Sequence, residues 1–332
     1  YNTARCSPSR ASLLTGLHPH QTGVGVLTYD MGPEGYAGNL GKNCVTIPQA
    51  LKAAQYKTYM SGKWHVASNL TEPTDTWPMQ RGFDEFFGTI IGAGSFYDPN
   101  TLTRGNENIE HEARDDKDFF YTDAISDQAA DYIREHARLH PDQPFFEYVA
   151  YTAPHWPLHA HDEDIAKYKG RFDQGWDALR AERLKRLIGA GILKPQWALS
   201  ERDPTQPPWT EAQEKAWLLR CMEVYAAQVD RMDQGIGRII DALEETGRLD
   251  NTLIIFLSDN GACAEDIPEG VTVDELVNKL MIAKARTRAG DEIHFGNNPA
   301  IMPGPENTYQ SYGVAWANLS NTPFRLYKHW IH

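Results

Sequence analysis

Three short candidate strands in this chain each break off at a tight polar cluster, and that pattern constrains the fold more than any other feature. Lys57–Ser61 leads into Gly62-Lys63-Trp64-His65, and the aromatic-rich Phe145–Tyr151 stops at Thr152-Ala153-Pro154-His155. Thr252–Leu257, the clearest of the three, is followed at once by Ser258-Asp259-Asn260-Gly261. Apolar runs of this length read as buried strands. Helical stretches are expected at Ser9–Leu17, Pro48–Gln55, Phe119–His136 and Glu211–Glu245. Thr46 is placed to cap the second, with Pro48 tolerated in its first turn. Gly235 and Gly237 weaken the middle of the last, and Gly247 stops it. Alternating helix and short strand predicts an α/β protein with a mostly parallel central sheet flanked by helices. In such a sheet, ligands bind beyond the carboxyl ends of the strands, so Lys63, His65, His155, Asp259 and Asn260 are expected to meet there.

The remaining segments say less. Residues 160–210 are charged and rich in Trp and Pro, and read as a lid or insertion. Residues 262–312 are loop-like, with a short helix expected from Val273 to Ala285. The chain carries 45 acidic against 32 basic side chains, a formal charge of -13. That balance excludes a general nucleic-acid binder, since no basic surplus exists to neutralise phosphates, but leaves room for an anionic substrate in a locally cationic pocket. Cys6, Cys44, Cys221 and Cys263 are too few and scattered for a disulfide scaffold or a closed zinc site. No apolar run approaches a transmembrane span; the longest, Leu253–Leu257, has the length of a strand. The chain opens at Tyr1 without methionine and closes at His332 without a cap. Both ends are expected to be edges of a longer protein, so the compartment is not legible here.

The densest chemistry lies at the start, in Cys6-Ser7-Pro8-Ser9-Arg10-Ala11-Ser12-Leu13-Leu14-Thr15-Gly16. This places a cysteine just before the first turn of a helix, where free backbone N–H groups favour an anion or a thiolate. Arg10, one turn on, offers a forked donor suited to a tetrahedral oxyanion. In isolation the same residues fit a buried cysteine, an ordinary cap and a surface arginine. Lys63 and His65 are two apart, which on an extended segment points both side chains the same way; alone, they fit a surface lysine and a packing histidine. His155 lies between Pro154 and Trp156-Pro157, and a fixed imidazole suits proton donation or a transition-state contact. His159 and His161 read as pocket rim or surface, because their spacing does not establish a zinc site. Asp259 and Asn260 offer hard oxygen ligands suited to calcium or magnesium, although an Asx turn before Gly261 also explains Asn260.

The whole string Cys6-Ser7-Pro8-Ser9-Arg10 through Leu14-Thr15-Gly16 resembles the signature of the type I, formylglycine-dependent sulfatases, an alkaline-phosphatase-like family. The resemblance extends in order through Gly62-Lys63-Trp64-His65, Gly82-Phe83-Asp84 with Phe86 and Gly88, Ala153-Pro154-His155 with Pro157, Ser258-Asp259-Asn260-Gly261, and Asn321-Thr322-Pro323-Phe324-Arg325 with Lys328. It implies one sulfatase catalytic domain over 1–332, incomplete for want of a first metal-binding strand and a C-terminal subdomain. It also implies that a formylglycine-generating or sulfatase-maturating enzyme oxidises Cys6 to formylglycine (3-oxoalanine), whose hydrated aldehyde is the nucleophile. Asp259, Asn260 and an oxygen of residue 6 would hold one divalent ion, calcium before magnesium. Two further aspartates in the family come from upstream of the cysteine motif, so the metal site as given is expected to be incomplete. Lys63 would neutralise sulfate oxygens, and His65 would meet the hydroxyl that is later deprotonated. His155 and Lys328 would act near the leaving oxygen, while Arg325 is read as fixing its loop.

The implied reaction is hydrolysis of a sulfate ester, aryl or glycan, to an alcohol and inorganic sulfate in a periplasmic, secreted or lysosome-like compartment. Trp156, Trp197, Trp209, Tyr309, Tyr312 and Trp316 could pack against an aryl group or a sugar ring, or belong to the core. A phosphoryl-transfer enzyme, a formylglycine-dependent phosphonate or phosphodiester hydrolase, and a noncatalytic binding module or inactive fragment are the alternatives.

Overall fold

The computed structural model describes residues 3–330; Tyr1 and His332, on which the reading of the chain ends rests, lie outside the described residues. The elements that position the site are α1 (Cys6–Thr15), α2 (Pro19–Thr22), α3 (Ile47–Lys52), β1 (Lys57–Gly62), β2 (Glu85–Thr89), β3 (Leu102–Arg104) and β4 (Glu107–Asn108). They continue with α4 (Glu110–Asp115), α5 (Tyr121–Leu139), β5 (Phe145–Ala150), α6 (Asp162–Ala166), α7 (Gly175–Gly189), α8 (Lys215–Glu245) and, after a small β6–β7 pair (His294–Phe295 and Thr308–Tyr309), α9 (Gly313–Ser320).

The central sheet has the order β4-β3-β2-β1-β5. Its pairing corrects the expectation of a mostly parallel sheet. β1 runs parallel to β2 and β5, but β2–β3 and β3–β4 are antiparallel, so the sheet is mixed. The reason lies in the connections. A parallel neighbour needs a long crossover, which α5 supplies before β5, whereas β3 and β4 are joined by the two residues Gly105-Asn106, which permit only a hairpin. Gly105 takes the left-handed conformation, φ +59°, that such a turn demands.

β1 is buried on both faces. Met60 packs with Trp64, Phe83, Phe86 and the α1 residues Ala11 and Leu14. On the opposite face Tyr59 stacks on Tyr132 of α5, and Ser61 donates to the Ile125 carbonyl. Helices thus cover both faces of the sheet. α8 packs on α5 as one unbroken helix, and Gly235 does not interrupt it. A Cβ there would fall 2.0 Å from Ser126 Oγ, so glycine is what lets the two helices approach.

Two further expectations change. Leu253–Leu257 carries no strand pairing and is exposed, with Leu253 85% and Ile255 72% accessible. Its apolar character alone could not make it a buried strand without a neighbour to exchange backbone hydrogen bonds. The helix expected from Val273 to Ala285 is reduced to a single π-helical stretch, Asp274–Lys279. Residues 160–210 pack through Trp176 and Leu179 against Trp217, Cys221 and Trp316 of α8 and α9.

Candidate active site

Cys6 is the first residue of α1, and its cap residue Arg5 provides no side-chain cap. The Cys6 thiol at this helix start is almost fully buried. Burial by itself would raise the Cys6 pKa. The charge of Lys63 and hydrogen bonds with His155 and His65 outweigh it and hold the group well below an ordinary thiol. Residue 6 is therefore set among groups that favour negative charge.

Lys63 and His65 reach this point from the carboxyl end of β1. Lys63 N–H donates to the Ala150 carbonyl, while Trp64 and His65 donate to Thr89 and Ile90, so the segment is threaded between the ends of β5 and β2. His65 is not extended: its φ is +57°. The alternation argument fails there, yet both side chains act on Cys6. Gly92 lies flat against the His65 ring, where a Cβ would fall 2.0 Å from Cε1. Burial, and then Lys63 against the thiol contact, depress the His65 pKa to about 4, so the ring is neutral at pH 7. Burial also lowers the Lys63 pKa, with Cys6 opposing and Arg10 reinforcing the shift.

Arg10, buried, ties the cluster together. Its Nε donates to Asp259 Oδ2 at 3.2 Å, and Nη1 to the Lys63 carbonyl at 2.7 Å and to Tyr148 Oη at 3.3 Å. Asp259 follows the unpaired run, so it reaches the site without a strand beneath it. Asn260 Nδ2 donates to the Gly261 carbonyl, while its Oδ1 is buried without a partner. A buried, orphaned amide oxygen beside a carboxylate fits a hard cation. Two side-chain oxygens are nevertheless fewer than the six to eight ligands calcium takes.

His155 follows β5. Its Nδ1 lies 2.8 Å from the Trp156 carbonyl, which can only accept, so Nδ1 carries the proton and Nε2 presents a lone pair. Lys328 Nζ stands 3.5 Å from that nitrogen, 3.2 Å from Glu265 Oε1 and 3.7 Å from Cys263 Sγ. Burial opposes the charge on Lys328, but neighbouring negative groups, Glu265 among them, hold its pKa above that of an ordinary lysine. Burial and then Lys328 lower that of His155. The Lys328 N–H is fixed to the Ala262 carbonyl, and Asn321 clamps the same loop by accepting from Ala262 N–H and donating to the Leu326 carbonyl.

All of Cys6, Arg10, Lys63, His65, His155, Asp259 and Lys328 therefore converge through direct contacts or mutual charge. Sequence reasoning missed Tyr148, Cys263, Glu265 and Asn321. Asn321 sits inside a motif already noted, whereas Cys263 and Glu265 give no signal without knowing where Lys328 falls. His159 is not at a rim: it is buried, with Phe96 N–H on Nδ1 and the Thr308 carbonyl on Nε2. Of the aromatic residues, Tyr309, Tyr312 and Trp316 are core, and Trp176, Trp209 and Trp316 pack edge to face. Trp156 alone borders His155, its Nε1 donating to Glu265. A cavity of about 400 Å³ lined by Trp176, Trp217, Asp266 and Tyr312 contains none of the converging residues.

A model of the sulfatase family matches residues 1–330. The chain belongs to the sulfatase family. It is 33% identical over its whole length to an uncharacterised sulfatase, PB10D8.02c, of Schizosaccharomyces pombe, covering 60% of that protein. Over 98% of its length it is 32% identical to an arylsulfatase of Klebsiella aerogenes, covering 68% of it. The crystal structure of Ps i-CgsB aligns with a TM-score of 0.53 and 25% identity, over 78% of this sulfatase chain and 49% of the other. This sulfatase chain thus spans 49% to 68% of the length of these relatives.

Proposed function

We propose that the protein hydrolyses sulfate esters with a nucleophile made from Cys6. The observation that carries this reading is a buried residue 6 at a helix N-terminus, facing Lys63, His65 and His155, with Arg10 and Lys328 adding positive charge. A tetrahedral sulfuryl group held there meets cations on several sides, the arrangement that stabilises charge building up on its oxygens.

Conversion of Cys6 to formylglycine by a maturating enzyme, followed by addition of water to the aldehyde, would supply two hydroxyls on one carbon, one to attack sulfur and one to expel sulfate afterwards. Lys63 and Arg10 orient the sulfuryl oxygens. Lys328 holds a proton opposite the His155 lone pair, and this pair delivers it to the departing alcohol oxygen. Neutral His65 takes the proton from the remaining hydroxyl. Asp259 and Asn260, with an oxygen of residue 6, would hold a calcium ion, which supplies further positive charge at the sulfuryl oxygens.

The arylsulfatase relative makes an aryl sulfate the first assay substrate. Residues 160–210 are proposed as an insertion that walls the catalytic domain. A periplasmic, secreted or lysosome-like compartment is proposed from the family; no helix among the described residues is long and apolar enough to cross a membrane.

The test is the mass of the Cys6 peptide from the complete protein, made with a matching formylglycine-generating enzyme beside a control sulfatase. A formylglycine mass, with sulfate release that Cys6→Ala abolishes, is expected. An unmodified cysteine while the control converts, or hydrolysis of a phosphonate but not a sulfate ester, would overturn the proposal.

A further inference from the structure

Cys263 and Glu265 lie outside the sulfatase motifs, yet they frame Lys328 together with His155. One ligand atom from each of His155, Cys263 and Glu265 lies within 4.8 Å of the other two. The Lys328 ammonium stands among them, 3.2 to 3.7 Å from the three donors. A single positive charge therefore occupies the centre at which an imidazole, a thiol and a carboxylate converge. Imidazole with thiolate is a donor set for a thiophilic ion, unlike the oxygen pair of Asp259 and Asn260.

We infer that His155, Cys263 and Glu265 form a second cation site, selective for zinc-like divalent ions, in which the metal replaces the Lys328 ammonium. The supporting shell is already built. His155 donates Nδ1–H to the Trp156 carbonyl, which turns the Nε2 lone pair inward, and Trp156 Nε1 holds the Glu265 carboxylate. Tetrahedral zinc donors stand about 3.5 Å apart, so the trio must close by roughly 1 Å, a shift within reach of the exposed Glu265 and part-exposed Cys263. On binding, the Cys263 S–H bond breaks, the proton goes to solvent, and the sulfur pair bonds the metal. Lys328 swings out with its charge. Three protein ligands leave one tetrahedral position open.

The consequence rests on the active-site reading above: zinc would take the His155 lone pair and evict Lys328, removing both groups assigned to the leaving oxygen and inhibiting turnover. The site itself does not depend on turnover, so its test is optical. The full-length protein carrying Cys6→Ala, saturated with calcium, is titrated with cobalt. Cys44 and Cys221 are buried, so Cys263 is the one accessible thiol left among the described residues.

A thiolate-to-cobalt charge-transfer band should rise to one equivalent. It should be lost in Cys263→Ser, weakened at least tenfold in Glu265→Gln, and reached at tenfold lower cobalt in Lys328→Met. Zinc should bleach it by displacement. Absence of the band, its survival in Cys263→Ser, or indifference to both Glu265→Gln and Lys328→Met would overturn the inference and show the trio to be a cradle for the lysine alone.

Discussion

Arg10 donates through Nε to Asp259, 249 positions away in sequence, and through Nη1 to the backbone carbonyl of Lys63. One guanidinium thereby fixes the helix of Cys6, the segment after β1 and the loop carrying Asp259 and Asn260. A lysine offers no planar fork and cannot make both contacts. Arg10→Lys in the full-length enzyme is expected to lower kcat for an aryl sulfate by about 10²-fold. Activity within threefold of the parent would show that the fork is dispensable.

Gly92 supplies the second test. A methyl group there would overlap the His65 ring at 2.0 Å from Cε1 and 2.1 Å from Nδ1, so the imidazole must leave its place. Gly92→Ala should cost about 10² in kcat, yet little more when His65 is already alanine, because the two changes remove one function. Steady-state kinetics on the four variants of the cycle decide it; additive losses would mean that Gly92 acts elsewhere.

His159 gives a pH dependence of stability. Burial depresses its pKa from 6.5 to about 4, and it is hydrogen-bonded as a neutral ring. Above pH 6.5 the ring is neutral in folded and unfolded chains alike, and the folded state keeps its full advantage. Between 6.5 and about 4 the unfolded chain takes up a proton that the folded chain refuses, so stability falls, by about 3 kcal/mol for this one histidine. Melting temperature should therefore drop steeply across that window, and less steeply in His159→Gln. Equal slopes would place the acid sensitivity in other groups.

Asn321 clamps the loop of Lys328 and is a positioning residue. If Lys328 acts on the leaving oxygen, Asn321→Ala should slow esters of weakly acidic alcohols about tenfold more than esters of acidic phenols. Loosening that served stability alone would slow both equally. Rates across a series of leaving groups make the distinction.

Thr46 accepts from the Gln49 N–H and donates to the Arg81 carbonyl, capping α3 from a buried position. Thr46→Ala should lower stability by about 1–2 kcal/mol, read from denaturant midpoints, without altering KM.

Much of this was legible in sequence where chemistry and chain coincide. Cys6, Arg10, Lys63 and His155 lie in contiguous motifs, and β1, β5, α5 and α8 announce themselves by periodicity and length. Sheet direction was not legible, because it depends on connections: Gly105-Asn106 folds β3 onto β4, whereas the long segments before β2 and before β5, the latter containing α5, return the chain in parallel to β1. Leu253–Leu257 reads as a strand because apolar runs usually become one, but strand formation belongs to a pair and not to a segment. Cys263 and Glu265 were invisible for a similar reason, since their meaning depends on a lysine more than sixty residues away.

The open flank of β5 and the bare run of Leu253–Leu257 also bear on how such a polypeptide behaves in a tube. β5 is a terminal strand of its sheet, with one row of amide and carbonyl groups unclaimed by any neighbouring strand among the described residues. Leu253–Leu257 adds five consecutive bulky aliphatic and aromatic side chains that are exposed among the described residues. Surfaces of this kind recruit other chains edge to edge. Among the described residues, the segment that carries Asp259 to the candidate site is thus also one left open to a further strand, and Ile255→Lys should extend the soluble concentration range of these 332 residues taken alone.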